Sequence, residues 1–261
     1  MSQDRPSRMR LDQLLVDRGL FPSREKAKRA VMAGTVQVDG QRSDKPGTSV
    51  SSDVRLDVIA KSEPYVSRAG RKLEAALDHF KPTFPRELDP AGRVCLDIGA
   101  STGGFTDCLL TRGAKRIYAI DVGYGQLDHR LRQDPRVVVM ERVNARYLEP
   151  GAIPEKASLA TFDVSFISLS KVVPPVLALL EDGAVLLPMI KPQFEVGRGQ
   201  VGKGGIVRDE AVRRQAIDQR IADFEAFGLE ILGVVDSAVA GMEGNREAFA
   251  LCRYREASHV R

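Results

Sequence analysis

The chain has 261 residues, 43% of them hydrophobic and 28% charged, with a formal net charge of +4. That balance excludes a disordered chain, and the longest uncharged apolar runs, Val172 to Leu180 and Gly183 to Ile190, are far shorter than the roughly 20 residues that span a bilayer. Cys95, Cys108 and Cys252 have no metal-ligand spacing and cannot all pair, and no apolar core follows the polar, Arg-rich N-terminus, so neither a metal site nor secretion is expected and a cytoplasmic setting is.

Charge is unevenly placed. Residues 1–81 hold 16 Lys+Arg and 11 Asp+Glu, a net of +5, and the remaining 180 residues carry −1. A basic excess confined to the first third points there for a polyanion partner, which the total of +4 does not.

Leu11, Leu14 and Leu15 share one face of a short helix that Gly19 ends. Pro22-Ser23 supplies a turn and an N-cap, and Ala27, Ala30 and Val31 form the apolar stripe of a second helix stopped by Gly34. Val36 and Val38 alternate like a strand, Asp39-Gly40 is a hairpin turn, and Val54, Leu56 and Val58 alternate again. On the second helix Arg24 and Lys28 are four apart and project from one side, as a solvated face or as phosphate contacts.

Arg10-Leu-Asp-Gln-Leu-Leu-Val-Asp-Arg-Gly19, Ser23-Arg24 and Ala33-Gly-Thr-Val-Gln-Val-Asp-Gly40 resemble the small RNA-binding domain of a primary-binding small-subunit ribosomal protein. The module recurs in pseudouridine synthases and tyrosyl-tRNA synthetases. The resemblance covers about residues 9–60 and implies that Arg10, Arg18, Arg24 and Lys28 face RNA backbone. The expected organisation is an RNA-binding domain over 1–60, a linker over 61–66 that begins Lys61-Ser-Glu-Pro64, and a catalytic domain over 67–261.

Next come Tyr65-Val-Ser-Arg-Ala-Gly-Arg-Lys-Leu73 and a helix through Leu73, Ala76, Leu77 and Phe80, ended by Pro82 and Pro85. Lys72 opens this helix, where a lone lysine usually faces solvent. Apolar strands follow at Arg93–Ile98, Arg116–Asp121, Val137–Met140, Leu159–Val164 and Ala184–Ile190, with a long helix over Asp209–Phe227 and late strands at Leu229–Val235 and Ala248–Arg253. Alternating strands and helices predict a Rossmann-like α/β fold, a parallel sheet with its ligand at the carboxyl strand ends.

The loop after the first of these strands selects the ligand. A dinucleotide fingerprint has glycine at its first, third and sixth positions, and here these are Gly99, Ser101 and Gly104. A side chain at Ser101 would meet a pyrophosphate, so Gly99-Ala-Ser101-Thr102-Gly103-Gly104-Phe105 favours S-adenosylmethionine over NAD. Asp97 at the strand end is expected to hold a cationic amino-acid group. Asp121, at the end of the next strand and followed by Val122, is expected to accept both ribose hydroxyls. Asn144, after the third strand, is expected to affect cofactor affinity. Gly197-Arg-Gly-Gln-Val-Gly-Lys203-Gly204 nearly spells a phosphate-binding loop, but Gly204 replaces the Mg²⁺-binding hydroxyl and no apolar strand directly precedes it.

Asp163 and Lys191 end the fourth and fifth strands and adjoin the crevice. Desolvation of a lysine there would lower its pKa and suit a general base. Glu247 precedes the last strand and could also approach.

Read together, these segments resemble the TlyA, or haemolysin A-like, family, which joins the RNA-binding module to an FtsJ-like methyltransferase domain. The resemblance rests on Tyr65-Val-Ser-Arg68, Leu96-Asp-Ile-Gly-Ala-Ser-Thr-Gly-Gly-Phe-Thr-Asp107, Asp121-Val-Gly-Tyr-Gly-Gln-Leu127, Asp163-Val-Ser-Phe-Ile-Ser-Leu169, Lys191-Pro-Gln-Phe-Glu195, Val201-Gly-Lys-Gly-Gly205 and Gly244-Asn-Arg-Glu247. It implies 2′-O-methylation of cytidine in ribosomal RNA from S-adenosylmethionine, on ribosomal RNA or subunits. It maps a Lys-Asp-Lys-Glu tetrad onto Lys72, Asp163, Lys191 and Glu247, with Asp163 also touching the methyl donor. The chain departs from the family pattern at Ala69 and Arg71. Two alternatives stand beside this reading: a membrane-acting haemolysin, for which the chain offers no span, and a non-catalytic RNA-binding ribosome factor, against which the tetrad argues.

Overall fold

Two units, Met1–Ser62 and Glu63–Arg261, divide the chain. The computed structural model describes residues 7–58, 64–202, 204–241 and 244–256. Lys203 and the first half of the expected linker, 61–63, lie outside the described residues.

The first unit runs β1 (Arg8–Arg10), α1 (Leu11–Asp17), α2 (Arg24–Met32), β2 (Val36–Val38), β3 (Gln41–Ser43), β4 (Ser49–Ser51) and β5 (Leu56–Val58). The Ser23 hydroxyl caps α2 by accepting the Lys26 N–H. Leu11, Leu14, Leu15, Ala27, Val31, Val36 and Val50 form its core, with Ala30 half-buried at the edge. Asp39 and Gly40 both have positive φ (49° and 80°), the conformation a two-residue hairpin needs, and they join β2 to β3. β5 pairs with β2 from the other side. Sequence periodicity does not reveal the antiparallel β1–β4 pair, because each of these strands holds a single apolar residue, Met9 or Val50, and so has no apolar alternation to read.

The second unit begins with α3 (Ala69–Phe80) and continues with β6 (Val94–Ile98), α4 (Gly104–Thr111), β7 (Arg116–Asp121), α5 (His129–Gln133), β8 (Val137–Glu141), β9 (Ala157–Phe162) and α6 (Leu169–Leu177). It ends with β10 (Leu180–Ile190), α7 (Pro192–Glu195), α8 (Glu210–Ala226), β11 (Leu229–Asp236) and β12 (Ala248–Tyr254). Seven strands form one sheet in the order β11-β12-β10-β9-β6-β7-β8. The five strands from β10 to β8 are parallel, as the sequence predicts; β12 is antiparallel to β10, and β11 to β12.

Both faces of the sheet are covered, so neighbouring positions of one strand enter different cores. Phe249 and Leu251 pack with α3 and α4, while Ala248, Ala250 and Cys252 pack with α6 and α8. Tyr65, inside the expected linker, is 5% exposed; its ring lies over Gly70 and its hydroxyl donates to Glu74, so it belongs to the second unit. All three cysteines are free and buried.

Candidate active site

The strand order sets where a ligand can sit. From β6 the chain moves outward to β7 and β8, then returns to place β9 on the other side of β6. Connections leave in opposite directions at that reversal and open a crevice at the carboxyl ends of β6 and β9. Gly99 has φ +87°, and a Cβ there would lie 2.6 Å from the Asp163 carbonyl oxygen, so a side chain would separate the two strand ends. A cleft of about 500 Å³ opens above, walled by Ser101, Asp121, Val122, Asn144 and Asp163.

These walls fit an adenosyl ligand without phosphates. Asp121 accepts the Ser101 and Gly123 N–H groups at 2.8 and 2.6 Å, and each of its oxygens keeps a further lone pair for a ribose hydroxyl. Val122, 66% exposed, offers an apolar surface beside it. Asn144 accepts the Arg146 N–H at 3.1 Å and so fixes the turn Ala145–Tyr147 at the cleft edge.

Asp97 sits elsewhere. It shares its strand parity with Cys95 and points toward α4, not into the cleft; it is fully buried and accepts the Thr106 hydroxyl at 2.6 Å. Burial, opposed by the Thr106 hydrogen bond and reinforced by Asp163 and Asp121, pushes its carboxyl up to about 7. A direct contact between Asp97 and a cofactor amino group is not what this placement provides. Thr102, Gly103, Gly104 and Phe105 also stand outside the cleft wall. Gly103 admits Leu131 and Leu127, Gly104 admits Ser67 and Gly70, and the Thr102 carbonyl accepts the Asp128 N–H. Phe105 is 2% exposed and packs 6.0 Å from Phe249. This half of the loop locks α4 to its neighbours.

The four tetrad positions form two ion pairs, Lys72–Glu247 with both partners buried and Lys191–Asp163 with a buried lysine and a half-buried aspartate. Lys191 Nζ lies 2.5 Å from Asp163 and donates to Ser165 Oγ at 3.0 Å. Lys72 Nζ lies 2.5 Å from Glu247, whose other oxygen accepts from Gln193 at 3.5 Å. Gln193 follows Lys191 by two residues, so the α7 turn links the pairs. Lys72 is buried, contrary to the usual behaviour of a lone helix lysine, because it stacks with Ala76 and Phe80 at i, i+4 and i+8 on the inner stripe of α3. That spacing was present in the sequence as a signal.

Sequence alone assigns no role to other residues at this site, although Phe166, Phe194 and Glu195 lie within stretches that carry the family resemblance. Phe166, on the loop after β9, is 91% exposed with φ +63°, and its ring lies 4.9 Å from Phe194. Lys191 Nζ sits 5.9 Å from the Phe194 ring centre. Glu195 accepts the Leu169 N–H at 2.9 Å and pairs with Arg220 at 3.0 Å. Burial raises its carboxyl above the ordinary range, outweighing the Leu169, Ser168 and Arg220 contacts that pull it down.

In the first unit, Arg10, Arg24 and Lys28 line one shallow groove. Asp12, 2% exposed, accepts from Arg10 at 3.0 Å and Arg24 at 3.1 Å and orients both; the Arg10 guanidinium holds its carboxyl below the usual range. Arg18 does not join them. Its guanidinium donates to the Ser52 and Val54 carbonyls and ties α1 to the segment before β5. Among the described residues no cluster of His, Cys, Asp and Glu could hold a metal ion.

Residues 65–255 match the family described as FtsJ-like methyltransferase, and residues 9–56 match the S4 domain. "Putative rRNA methyltransferase YqxC" of Bacillus subtilis (strain 168) is 49% identical over 242 residues, covering 91% of this chain and 83% of that protein. The 16S/23S rRNA (cytidine-2′-O)-methyltransferase TlyA of Mycobacterium tuberculosis (strain ATCC 25618 / H37Rv) is 46% identical over 247 residues, covering 94% and 90%. A solved structure, "Putative hemolysin from Streptococcus thermophilus", has a TM-score of 0.74 and 41% identity, covering 97% of this chain and 90% of that one. With an S4 domain ahead of a sheet whose strand ends carry two Lys–carboxylate pairs, the chain belongs to the TlyA group of the FtsJ-like methyltransferase family.

Proposed function

We propose that the protein transfers a methyl group from S-adenosylmethionine to the 2′-hydroxyl of a cytidine in ribosomal RNA, in the cytoplasm. The observation that carries this reading is the pairing of Lys191 with Asp163, a residue of the cleft wall, and of Lys72 with Glu247, which Gln193 links to it. The relatives whose names specify rRNA or cytidine-2′-O methylation support the substrate. S-adenosylmethionine, when bound, supplies a methyl group already activated by its sulfonium.

The chain's own task is alignment and one proton. Asp121 and Asn144 hold the adenosyl end, and Asp163, at the cleft wall, faces the cationic end. Lys191, once its ammonium has released a proton to solvent, takes the proton of the 2′-hydroxyl on the neutral Nζ as the O–CH₃ bond forms and the C–S bond breaks. Asp163 and Ser165 fix the direction of that nitrogen. Lys72 and Glu247 orient the acceptor ribose. The exposed Phe166 ring offers a stacking face for the acceptor base. Positioning of this kind contributes several kcal/mol, and a positioned base roughly 10²–10⁴-fold.

Tritiated-methyl transfer to purified ribosomal subunits, followed by mass-spectrometric mapping, tests the reading. Lys191→Ala is expected to lose about 10²–10⁴-fold in transfer while calorimetry still shows methyl-donor binding. Full turnover by that variant would sink the assignment. A membrane-acting role finds no helix among the described residues long and apolar enough to cross a bilayer.

A further inference from the structure

Glu195 touches both sides of the Phe166–Phe194 contact. It follows Phe194 in the chain, and its carboxylate accepts the N–H of Leu169, three residues beyond Phe166. Arg220, on α8, completes the link: Nη1 donates to Glu195 at 3.0 Å and to the Ser168 hydroxyl at 2.6 Å, while Nη2 pairs with Asp223 at 2.9 Å. Glu195 is 2% exposed and Arg220 11% by side chain, so this pair is inside the protein and away from substrate.

Phe166 has reason to need an anchor. A bulky residue at φ +63° occupies a region that costs on the order of 1–3 kcal/mol and persists only when its surroundings impose it. Its ring is 91% exposed, so packing against Phe194 is all that restrains it on one side, and the Ser168–Leu169 backbone restrains it on the other.

We propose that Glu195 and Arg220 are positioning residues: they clamp the loop after β9 to the α7 turn and thereby hold Phe166 where the acceptor nucleotide docks. The inference rests on the methyltransferase reading above and extends it to acceptor binding. The clamp acts through Phe166, so its loss is felt in KM for RNA and not in methyl-donor affinity.

Glu195→Gln, which keeps the size and an acceptor for the Leu169 N–H, is the first variant. KM for ribosomal subunits is expected to rise about tenfold, with the methyl-donor Kd from calorimetry unchanged. Phe166→Ala alone should raise KM by roughly 5- to 100-fold, as loss of one stacking contact does. In the Phe166→Ala background, Glu195→Gln should then add no further rise. Independent, multiplying effects would overturn the clamp, as would an unchanged KM in Glu195→Gln. If Glu195→Gln does not fold, Ser168→Ala, which removes one Arg220 contact, carries the same cycle.

A readout independent of activity separates the clamp from the reaction. In protein labelled with fluorophenylalanine, the ¹⁹F resonance of Phe166 should sharpen and shift toward the free value in Glu195→Gln. An unchanged resonance overturns the clamp even if the enzyme is active. If the wild-type protein transfers no methyl group to RNA, the functional reading falls while the ¹⁹F result still decides the clamp.

Discussion

Lys72 and Glu247, 175 positions apart, meet at 2.5 Å with both side chains buried, and this contact ties the first helix of the methyltransferase unit to the residue that opens into its last strand. Removing one partner strands the other charge. Lys72→Ala should therefore lose about 3–5 kcal/mol of stability, read from urea midpoints. The double variant Lys72→Met/Glu247→Met should recover most of that stability, since apolar residues of similar volume replace buried pairs with little loss. It should not recover methyl transfer. A double variant as unstable as the single one would show that the pair does more for the fold than charge compensation.

Asp97 predicts a pH dependence. Its folded pKa of about 7 lies above the unfolded carboxylate value of about 3.9. Below pH 4 both states are protonated and the group contributes nothing. From pH 4 to 7 the unfolded state ionises first, so stability falls as pH rises, and the full penalty persists above pH 7. Asp97→Asn should thus gain on the wild type by on the order of a few kcal/mol at pH 8 relative to pH 4. Thermal or urea unfolding across that range measures it, and a difference that does not change with pH would refute the assignment.

The S4 domain has two kinds of basic residue, those that line its groove and one that braces its fold. Lys28→Ala should weaken RNA binding across sequences and reduce the slope of log affinity against log salt by about one. Arg18→Ala should instead lower the melting temperature through loss of the Ser52 and Val54 bonds and leave the salt slope unchanged. Filter binding at several salt concentrations, with calorimetric melting, distinguishes them.

The cysteines report on opening. Burial pushes Cys95 up to about 12 and Cys108 up to about 11, and raises Cys252 as well. A thiol reagent at pH 8 should leave all three unmodified in the native protein and modify all three in urea. Rapid native modification of Cys95 would contradict its burial.

Much of the fold was legible because its signals are local. The apolar spacing of α3 and the alternation of strands with helices need no knowledge of distant partners. The antiparallel β11 and β12 were readable as strands, but their direction depends on where the chain turns, which residue spacing does not carry. α6 contains Pro174 and Pro175, which read as breakers, although buried Val172, Val173 and Val176 hold it helical. At the site, residue type at a strand end located Asp121, Asp163 and Lys191. Asp97 was misplaced because a strand end has two faces, and only the neighbouring helix decides which one its side chain meets. The Glu195–Arg220 pair was illegible for a further reason: a charged residue in a short turn or on a long helix looks like a solvent-facing one until the element packed against it is known.

The approach of Gly99 to the Asp163 carbonyl has a mechanical consequence. The Asp163 N–H also donates to the Ile98 carbonyl at 2.9 Å, so the ends of β6 and β9 are fastened together at the base of the crevice. That base cannot widen without breaking a strand ladder between two fully buried strands. Adjustment to a ligand must then come from the rim, where Val122 projects into solvent. The cleft is built on a rigid anvil, and a substitution at Gly99 would damage it by displacing Asp163 without changing the chemistry of any ligand-contacting side chain.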